Sequence, residues 1–148
     1  MSYEPKHPWG AIRFAAPKVE VIPTSDGGMI LRSPDTLKPF ARCVGDLLLH
    51  WADRLPEAVF LAERQGAGWR RVTWEQARRA VESIAQSLLE RGLNRHRPVM
   101  ILSDNSIDHA LLALAAMHVG VPVAPVSPAY SLASRDHSKL RYIADRLS

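Results

Sequence analysis

The sequence has little cysteine and no long hydrophobic run, and each shortage excludes a class of protein. Cys43 is the single cysteine among 148 residues. The chain therefore cannot form a disulfide within itself, and we expect a reducing, cytoplasmic location. The longest apolar stretch, residues 110–117, is far shorter than the ~20 residues that a membrane-spanning helix needs. The first residues carry charge and proline rather than the apolar core of a signal peptide, so we expect none.

The sequence also has no stretch that is rich in charges of a single sign. The net charge is only +4, from 19 Lys and Arg against 15 Asp and Glu. Arg78 and Arg79 stand between Glu75 and Glu82, which is typical of a solvated helix face. Nucleic-acid binding needs a patch of one sign with aromatic side chains that stack on bases, so we expect no nucleic-acid partner. The 47% hydrophobic content suits one globular domain.

Patterns that carry catalysis are missing as well. The six histidines include no pair at the i,i+4 spacing of helical metal ligands, and His109 and His118 point to opposite sides of their helix. Asp136, His137 and Ser138 are adjacent, so they cannot face one another as a triad must.

Glycine and cysteine patterns add no site. The glycine pairs at 27–28 and 66–68 lack a following Lys-Ser or Lys-Thr, so they indicate turns and not phosphate-binding loops. Cys43 has no basic partner in the pattern, which indicates an unreactive thiol. We therefore predict no catalytic, cofactor-binding or metal-binding residue in the chain.

The patterns that are present predict an α/β fold with an N-terminal hairpin. Residues 1–40 are proline-rich and irregular, and Asp26-Gly27 between two β-prone runs predicts a hairpin. Residues 41–148 alternate helical and strand patterns. We predict a helix at 43–55, a hairpin of 59–63 with 69–72, a helix from 73 to Gly92, a strand at 99–102, a helix at 107–119, a strand at 121–126, and a last helix from about Ser134 or Asp136 to Leu147.

The predicted helix ends have recognisable chemistry. Thr73 followed three residues later by Gln76 is a capping box. Asn105 or Ser106 can cap the next helix, which Gly120 closes. The strands at 99–102 and 121–126 are wholly apolar, as expected of parallel strands buried on both faces. Together these elements predict a βαβαβα parallel-sheet unit.

The last predicted helix suggests a truncated domain. In a parallel sheet, a helix that follows a strand normally returns the chain to another strand. Without that strand the sheet would expose an apolar edge, so we expect that the remainder of a longer chain covers it or that an edge-mediated homodimer forms. The alternative is a stand-alone, non-catalytic interaction or regulatory α/β domain.

The order of motifs after Trp69 resembles the AMP-forming adenylating superfamily, which includes acyl-CoA synthetases. Residues 70–77 (Arg-Arg-Val-Thr-Trp-Glu-Gln-Ala) look like its "strand, then Thr-Tyr-x-Glu-Leu helix" opening. Residues 88–93 resemble its Leu-x-x-x-Gly-Val helix end, and 99–106 its Val-Ala-Ile-Leu-x-x-Asn-Ser strand and cap. Residues 114–126 resemble its Ala-Gly-x-x-Tyr-Val-Pro-Leu crossover. The resemblance implies that 41–148 is the first α/β part of an AMP-binding domain.

A narrower resemblance is to the feruloyl-CoA synthetase branch. It rests on residues 124–132 (Ala-Pro-Val-Ser-Pro-Ala-Tyr-Ser-Leu), on 136–140 (Asp-His-Ser-Lys-Leu) and on 51–64. The wider family more often has Asn-Pro or Asp-Pro where this chain has Ser127-Pro128. Another acyl-CoA synthetase remains an alternative parent.

The resemblance implies an ATP-dependent acid–CoA ligase as the parent protein, with ATP, Mg²⁺, coenzyme A and an aromatic acid such as ferulate as its ligands. No position in this chain matches the family's phosphate loop, acid pocket, ribose-binding Asp or catalytic lysine. The 148-residue chain alone is therefore expected to be inactive. Ser127, Tyr130 and Ser131 follow a predicted parallel strand at its C-terminal end, where α/β sheets build ligand sites, and they are the candidates for residues near a ligand.

Overall fold

The computed structural model describes residues 18–147, and the chain divides into two units, 1–40 and 41–148. The first unit contains an antiparallel hairpin of β1 (Glu20–Pro23) and β2 (Met29–Arg32). Its turn includes Gly27 at φ +83°, a backbone conformation that glycine adopts without a Cβ clash. The hairpin predicted from Asp26-Gly27 is therefore confirmed.

The second unit follows the predicted order of elements. Their bounds are α1 (Val44–Arg54), β3 (Val59–Gln65), β4 (Gly68–Thr73), α2 (Trp74–Glu90), β5 (Val99–Ile101), α3 (Ile107–His118), β6 (Val123–Pro125) and α4 (Ser138–Leu147). A π-helical turn at Ala129–Ala133 lies between β6 and α4. None of the helices in the described residues is both long and apolar enough to span a membrane.

Helix α2 begins and ends where its local chemistry predicts. The Thr73 hydroxyl accepts a hydrogen bond from the Gln76 amide at 3.3 Å, and the Gln76 side chain accepts one from the Thr73 amide at 3.0 Å. This is a complete capping box. At the other end Gly92 takes φ +72° and closes the helix.

Within residues 18–147, parallel pairing is limited to β5 and β6. These strands pair in the register Val99 to Val123 and Ile101 to Pro125. The strand before α2 does not join them: β4 pairs antiparallel with β3, across a two-residue turn that has Gly66 at φ +59°. The short turn favours local hairpin pairing, so the described parallel sheet is smaller than the predicted unit.

The core of the second unit lies where α1, α2 and α3 meet the β3–β4 and β5–β6 sheets. Its buried residues are small or branched and come mainly from α2 and α3; they are Leu48, Ala77, Val81, Ala85, Leu88, Ile107, Leu111, Ala115, Ala116 and Val121. The approach of α1 to α3 is close, because a Cβ built on Gly45 would lie 2.6 Å from His118 Nδ1.

The segment after β6 differs from the prediction. The last helix begins at Ser138, later than predicted, and the π-helical turn precedes it. His137 adopts φ +52°, a left-handed conformation that is uncommon for a residue with a side chain. This conformation interrupts any helix that would have continued from Ser134 or Asp136.

Candidate functional site

The carboxyl ends of β5 and β6 form one edge of the sheet. Because the two strands are parallel, the segments that follow them leave at the same end. The Val126 amide donates to the Ile101 carbonyl at 3.0 Å, which extends the pairing past β6. Ser103 and Ser127 therefore emerge from neighbouring strands at the edge where open α/β sheets bind ligands.

On the β5 side, a serine and a histidine face an open cavity. Ser103 Oγ lies 3.0 Å from His109 Nδ1, and the His109 amide donates to Ser106 Oγ at 3.1 Å. Ser106 is thus the N-cap of α3. The sequence alone had allowed either Asn105 or Ser106 in that role. The cavity has a volume of about 440 Å³ and an apolar floor; its lining residues are Met100, Ile101, Leu102, Ser103, Ser106, Asp108, His109 and Leu112.

Sequence reasoning missed the Ser103–His109 pair. His109 was considered there only as a metal ligand. The positions of the two residues in the sequence could have indicated the pair, because Ser103 follows a predicted strand and His109 lies in the first turn of the next helix. Both residues are at least partly exposed, and the neighbouring Asp108 carboxylate accepts a hydrogen bond from Arg70 at 2.8 Å. The pair is therefore suited to hydrogen bonding with a ligand rather than to nucleophilic attack, which needs a third orienting group.

A charged clasp fixes the start of α3. Glu63 Oε2 accepts a hydrogen bond from the Ile107 amide at 2.7 Å, and Glu63 Oε1 accepts one from Arg70 at 2.9 Å. Arg70 reaches on to Asp108, so Glu63, Arg70 and Asp108 connect the β3–β4 hairpin to α3. Hydrogen bonds to Asp108 and then to Glu63 raise the pKa of Arg70. The clasp holds the helix that carries His109.

On the β6 side, the candidates Ser127, Tyr130 and Ser131 lie in or beside the π-helical turn. The Tyr130 amide donates to the Ser127 carbonyl at 2.9 Å. Ser127 Oγ accepts from the Ala129 amide at 3.4 Å, and Ser131 Oγ donates to the Pro128 carbonyl at 3.4 Å. These contacts stabilise the turn itself. Proximity of the three residues to a ligand stays a prediction.

Two basic residues accompany Tyr130. His137 Nδ1 lies 3.4 Å from the Tyr130 carbonyl oxygen, and Lys139 Nζ lies 5.2 Å from the centre of the Tyr130 ring. The Ser138 amide donates to Asp136, and this bond contributes most to lowering the pKa of the Asp136 carboxyl. π-Helical turns and left-handed residues are both enriched at functional sites.

Within residues 18–147, no group of three or more His, Cys, Asp or Glu side chains is placed to hold a metal ion. Gly27 and Gly66 lie in hairpin turns and do not open helices. No reaction step through Mg²⁺ or ATP is assigned to the described residues.

The fold is shared with several solved structures. The crystal structure of IdnL1 aligns with a TM-score of 0.62 and 25% identity over 75% of this chain. The fatty acid AMP ligase from Legionella pneumophila aligns with a TM-score of 0.65 and 18% identity over 74%. A fatty acyl-adenylate ligase from L. pneumophila, in complex with acyl adenylate and pyrophosphate, aligns with a TM-score of 0.57 and 19% identity over 63%.

The alignments define the class of fold. It is a mixed α/β arrangement that corresponds to part of the N-terminal domain of adenylate-forming ligases. The chain spans only 22%, 19% and 17% of the lengths of these three proteins.

Residues 48–139 match the family described as AMP-binding enzyme. That range runs from within α1 to the start of α4 and covers most of the second unit. The chain belongs to the AMP-binding enzyme family.

Proposed function

We propose that this chain is the first α/β part of an ATP-dependent acid–CoA ligase, and that it supplies scaffold rather than catalytic groups. The observation that carries the proposal is the family match over residues 48–139. The clasp and the capping box support a scaffold role, because the clasp joins the β3–β4 hairpin to α3 and the capping box fixes the start of α2. Residues 1–40 would be an extension that precedes this domain.

The proposed reaction of the parent protein has two steps. A carboxylate oxygen attacks the α-phosphorus of ATP, which forms an acyl-adenylate and releases pyrophosphate. The thiol of coenzyme A then attacks the acyl carbon, forms the thioester, loses its proton and releases AMP. Mg²⁺ would neutralise the phosphate charge in the first step. A structural neighbour holds acyl adenylate and pyrophosphate, which are the products of such a first step.

We propose an aromatic acid of the hydroxycinnamate class, such as ferulate, as the substrate. Support comes from the resemblance of residues 124–132 and 136–140 to the feruloyl-CoA synthetase branch. These residues form the end of β6, the π-helical turn and the start of α4, at the carboxyl edge of the sheet. Ser127, Tyr130 and Ser131 are the proposed ligand-proximal residues. The free, exposed Cys43 is compatible with the cytoplasm as the proposed location.

The test begins with the reading frame downstream of the Ser148 codon. A frame that continues into a Ser/Thr/Gly-rich loop ending in Pro-Lys would supply the full-length polypeptide for assay. That polypeptide should catalyse ATP–pyrophosphate exchange with ferulate, and adding coenzyme A should yield feruloyl-CoA and AMP. The 148-residue chain is the matched control and should catalyse neither reaction.

Each part of the proposal has its own contrary result. Exchange with dodecanoate but not with ferulate would exclude the aromatic acid. Adenylate formation without thioester formation would exclude the CoA-ligase subtype. A native stop codon directly after Ser148 would exclude the ligase proposal for this polypeptide and leave the stand-alone interaction domain.

A further inference from the structure

Helix α1 leaves part of its apolar stripe exposed beside a pocket. Val44, Leu47 and Trp51 recur at spacings of three and four residues, so they lie on one side of the helix. They are 45%, 47% and 38% exposed, whereas Leu48 and Ala52 of the same helix are buried. Single exposed apolar residues are ordinary, but a contiguous group of them marks a binding surface.

The pocket beside this stripe has a volume of about 220 Å³. Phe60 of β3, Trp74 of α2 and Leu114 of α3 complete its apolar wall. None of its lining residues belongs to the parallel strands β5 and β6 or to the segments that follow them. An apolar cavity of about 150 Å³ can bind benzene, so this pocket has room for a substituted aromatic ring.

Three aromatic side chains shape the pocket. The rings of Phe60 and Trp74 are stacked, with centroids 3.8 Å apart, so Phe60 covers one face of Trp74. The Trp51 ring lies 6.2 Å from the Trp74 ring and is tilted by 31° to it. Aromatic rings attract one another in offset-stacked and edge-to-face arrangements. The pocket therefore favours a planar aromatic group over a flexible aliphatic one.

The rim beside Trp51 is basic. The His50 ring meets the Trp51 ring edge-on at 5.2 Å, and Arg54 Nη1 lies 3.4 Å from His50 Nε2. Both His50 and Arg54 are exposed, and neither takes part in an ion pair within residues 18–147. At 3.6 residues per turn, Asp46 and Asp53 lie on the opposite side of α1 from Trp51.

One carboxylate follows the aromatic wall in sequence, and its charge is already compensated. Glu75 comes directly after Trp74 and accepts hydrogen bonds from Arg78 at 2.8 Å and from Arg79 at 2.7 Å. Arg54 has no such carboxylate partner among the described ion pairs. The basic rim is therefore suited to a negatively charged group on the ligand.

We propose that this aromatic pocket binds a small aromatic carboxylate. The ring of the ligand packs against Trp51 and Trp74, and its carboxylate pairs with the guanidinium of Arg54. Small-molecule sites commonly combine an apolar pocket with a few polar groups that fix the orientation of the ligand. A planar guanidinium matches the geometry of a carboxylate. The proposal does not rest on the proposed ligase function, because its residues differ from those at the carboxyl edge of the sheet.

An NMR titration of the ¹⁵N-labelled 148-residue chain with 1-naphthoate tests the site. The indole N–H signals are assigned with the variants Trp51→Phe, Trp69→Phe and Trp74→Phe. The signals of Trp51 and Trp74 should shift, whereas that of Trp69, which lies on β4 outside the pocket, should not. A Kd of about 1 mM or tighter is expected for a ligand of this size. The neutral analogue 1-naphthylmethanol should bind about threefold more weakly, since it lacks the ion pair.

Two pairs of variants separate the apolar and the charged halves of the site. Leu47→Glu replaces an exposed apolar side chain with a carboxylate and should weaken 1-naphthoate binding about tenfold or more. Leu47→Met is the matched control: it keeps the apolar contact and should bind nearly as the wild type does. Arg54→Gln should weaken 1-naphthoate binding about threefold without changing the binding of 1-naphthylmethanol. Arg91→Gln, at the far end of α2, should change neither.

Four results would overturn the proposal. One is an unchanged pair of Trp51 and Trp74 signals at 1-naphthoate concentrations up to about 5 mM, in a spectrum with the dispersion of a folded chain. Another is equal binding of 1-naphthoate and 1-naphthylmethanol, which would exclude recognition of the carboxylate. A third is unchanged binding by a folded Leu47→Glu variant, which would place the ligand elsewhere. The last is movement of the Trp51 and Trp74 signals with protein concentration alone, which would show that a second copy occupies the pocket.

Discussion

Glu63 offers the sharpest stability prediction, because its one carboxylate accepts hydrogen bonds from two elements, α3 and β4. Its Oε2 accepts from the Ile107 amide at 2.7 Å and its Oε1 from Arg70 at 2.9 Å. Ile107 is the first residue of α3, and such an amide has no partner within its own helix. Replacing Glu63 with alanine leaves that amide without the carboxylate.

The expected loss follows from the two contacts. A hydrogen bond to a charged group contributes about 1.5–3 kcal/mol, and the lower end applies to this partly exposed carboxylate. The ion pair with Arg70 adds about 0.5 kcal/mol, since both side chains retain contact with solvent. We expect Glu63→Ala to lower the free energy of unfolding by about 2 kcal/mol, which corresponds to a fall in Tm of about 4–8 °C for a domain of this size.

Urea denaturation followed by far-UV circular dichroism measures this loss. The matched control is Glu57→Ala, which removes an exposed glutamate from the loop before β3 and should change stability by less than about 0.5 kcal/mol. The double variant Glu63→Ala/Arg70→Ala should lose less than the sum of the two single variants, since the residues share a contact. A Glu63→Ala protein as stable as the Glu57→Ala control would refute the clasp.

Three further variants test other contacts of the second unit. Thr73→Ala removes the capping-box hydroxyl and should cost about 1 kcal/mol of unfolding free energy, measured by urea denaturation. Hydrogen bonds from Arg78 and a neighbouring arginine lower the pKa of Glu75 to about 2, so stability should fall as the pH drops from about 4.5 towards 2; Glu75→Gln should flatten this dependence. Gly45→Ala should lower Tm because its Cβ would lie 2.6 Å from His118 Nδ1, and adding His118→Ala should recover part of the loss.

Each of these variants has a contrary result. An unchanged urea midpoint for Thr73→Ala would mean that the cap contributes nothing to α2. Identical acid profiles for Glu75→Gln and the wild type would show that the ion pair does not persist in solution. A Gly45→Ala protein more stable than the wild type would mean that helix propensity outweighs the clash.

Features set by neighbours in sequence could be predicted. The capping box of α2, the glycine that ends it and the hairpin turn at Gly66 depend on chemistry within a few residues, so the sequence identifies them. The positions of α3 and β6 follow from apolar runs between caps and glycines. The backbone structure was needed to identify Ser106 rather than Asn105 as the cap, since either side chain can accept the amide hydrogen bond.

Features set by tertiary contacts could not be predicted. The contact of Glu63 with Ile107 joins residues 44 positions apart, and no local pattern marks it. The π-helical turn and the left-handed His137 arise where the chain leaves β6 and turns into α4, and no turn signal such as glycine marks that conformation. The Ser103–His109 pair likewise needed the geometry of the loop between β5 and α3.

The clasp at Glu63 also makes a single amide a reporter of motion. The Ile107 hydrogen is bonded to a side chain of the hairpin and not to its own helix, so its exchange with solvent does not require α3 to unfold. Exchange requires only that the β3–β4 hairpin moves away from α3. Comparing the exchange of this amide with that of later α3 amides would separate hairpin undocking from helix opening, two motions that a thermal melt records together.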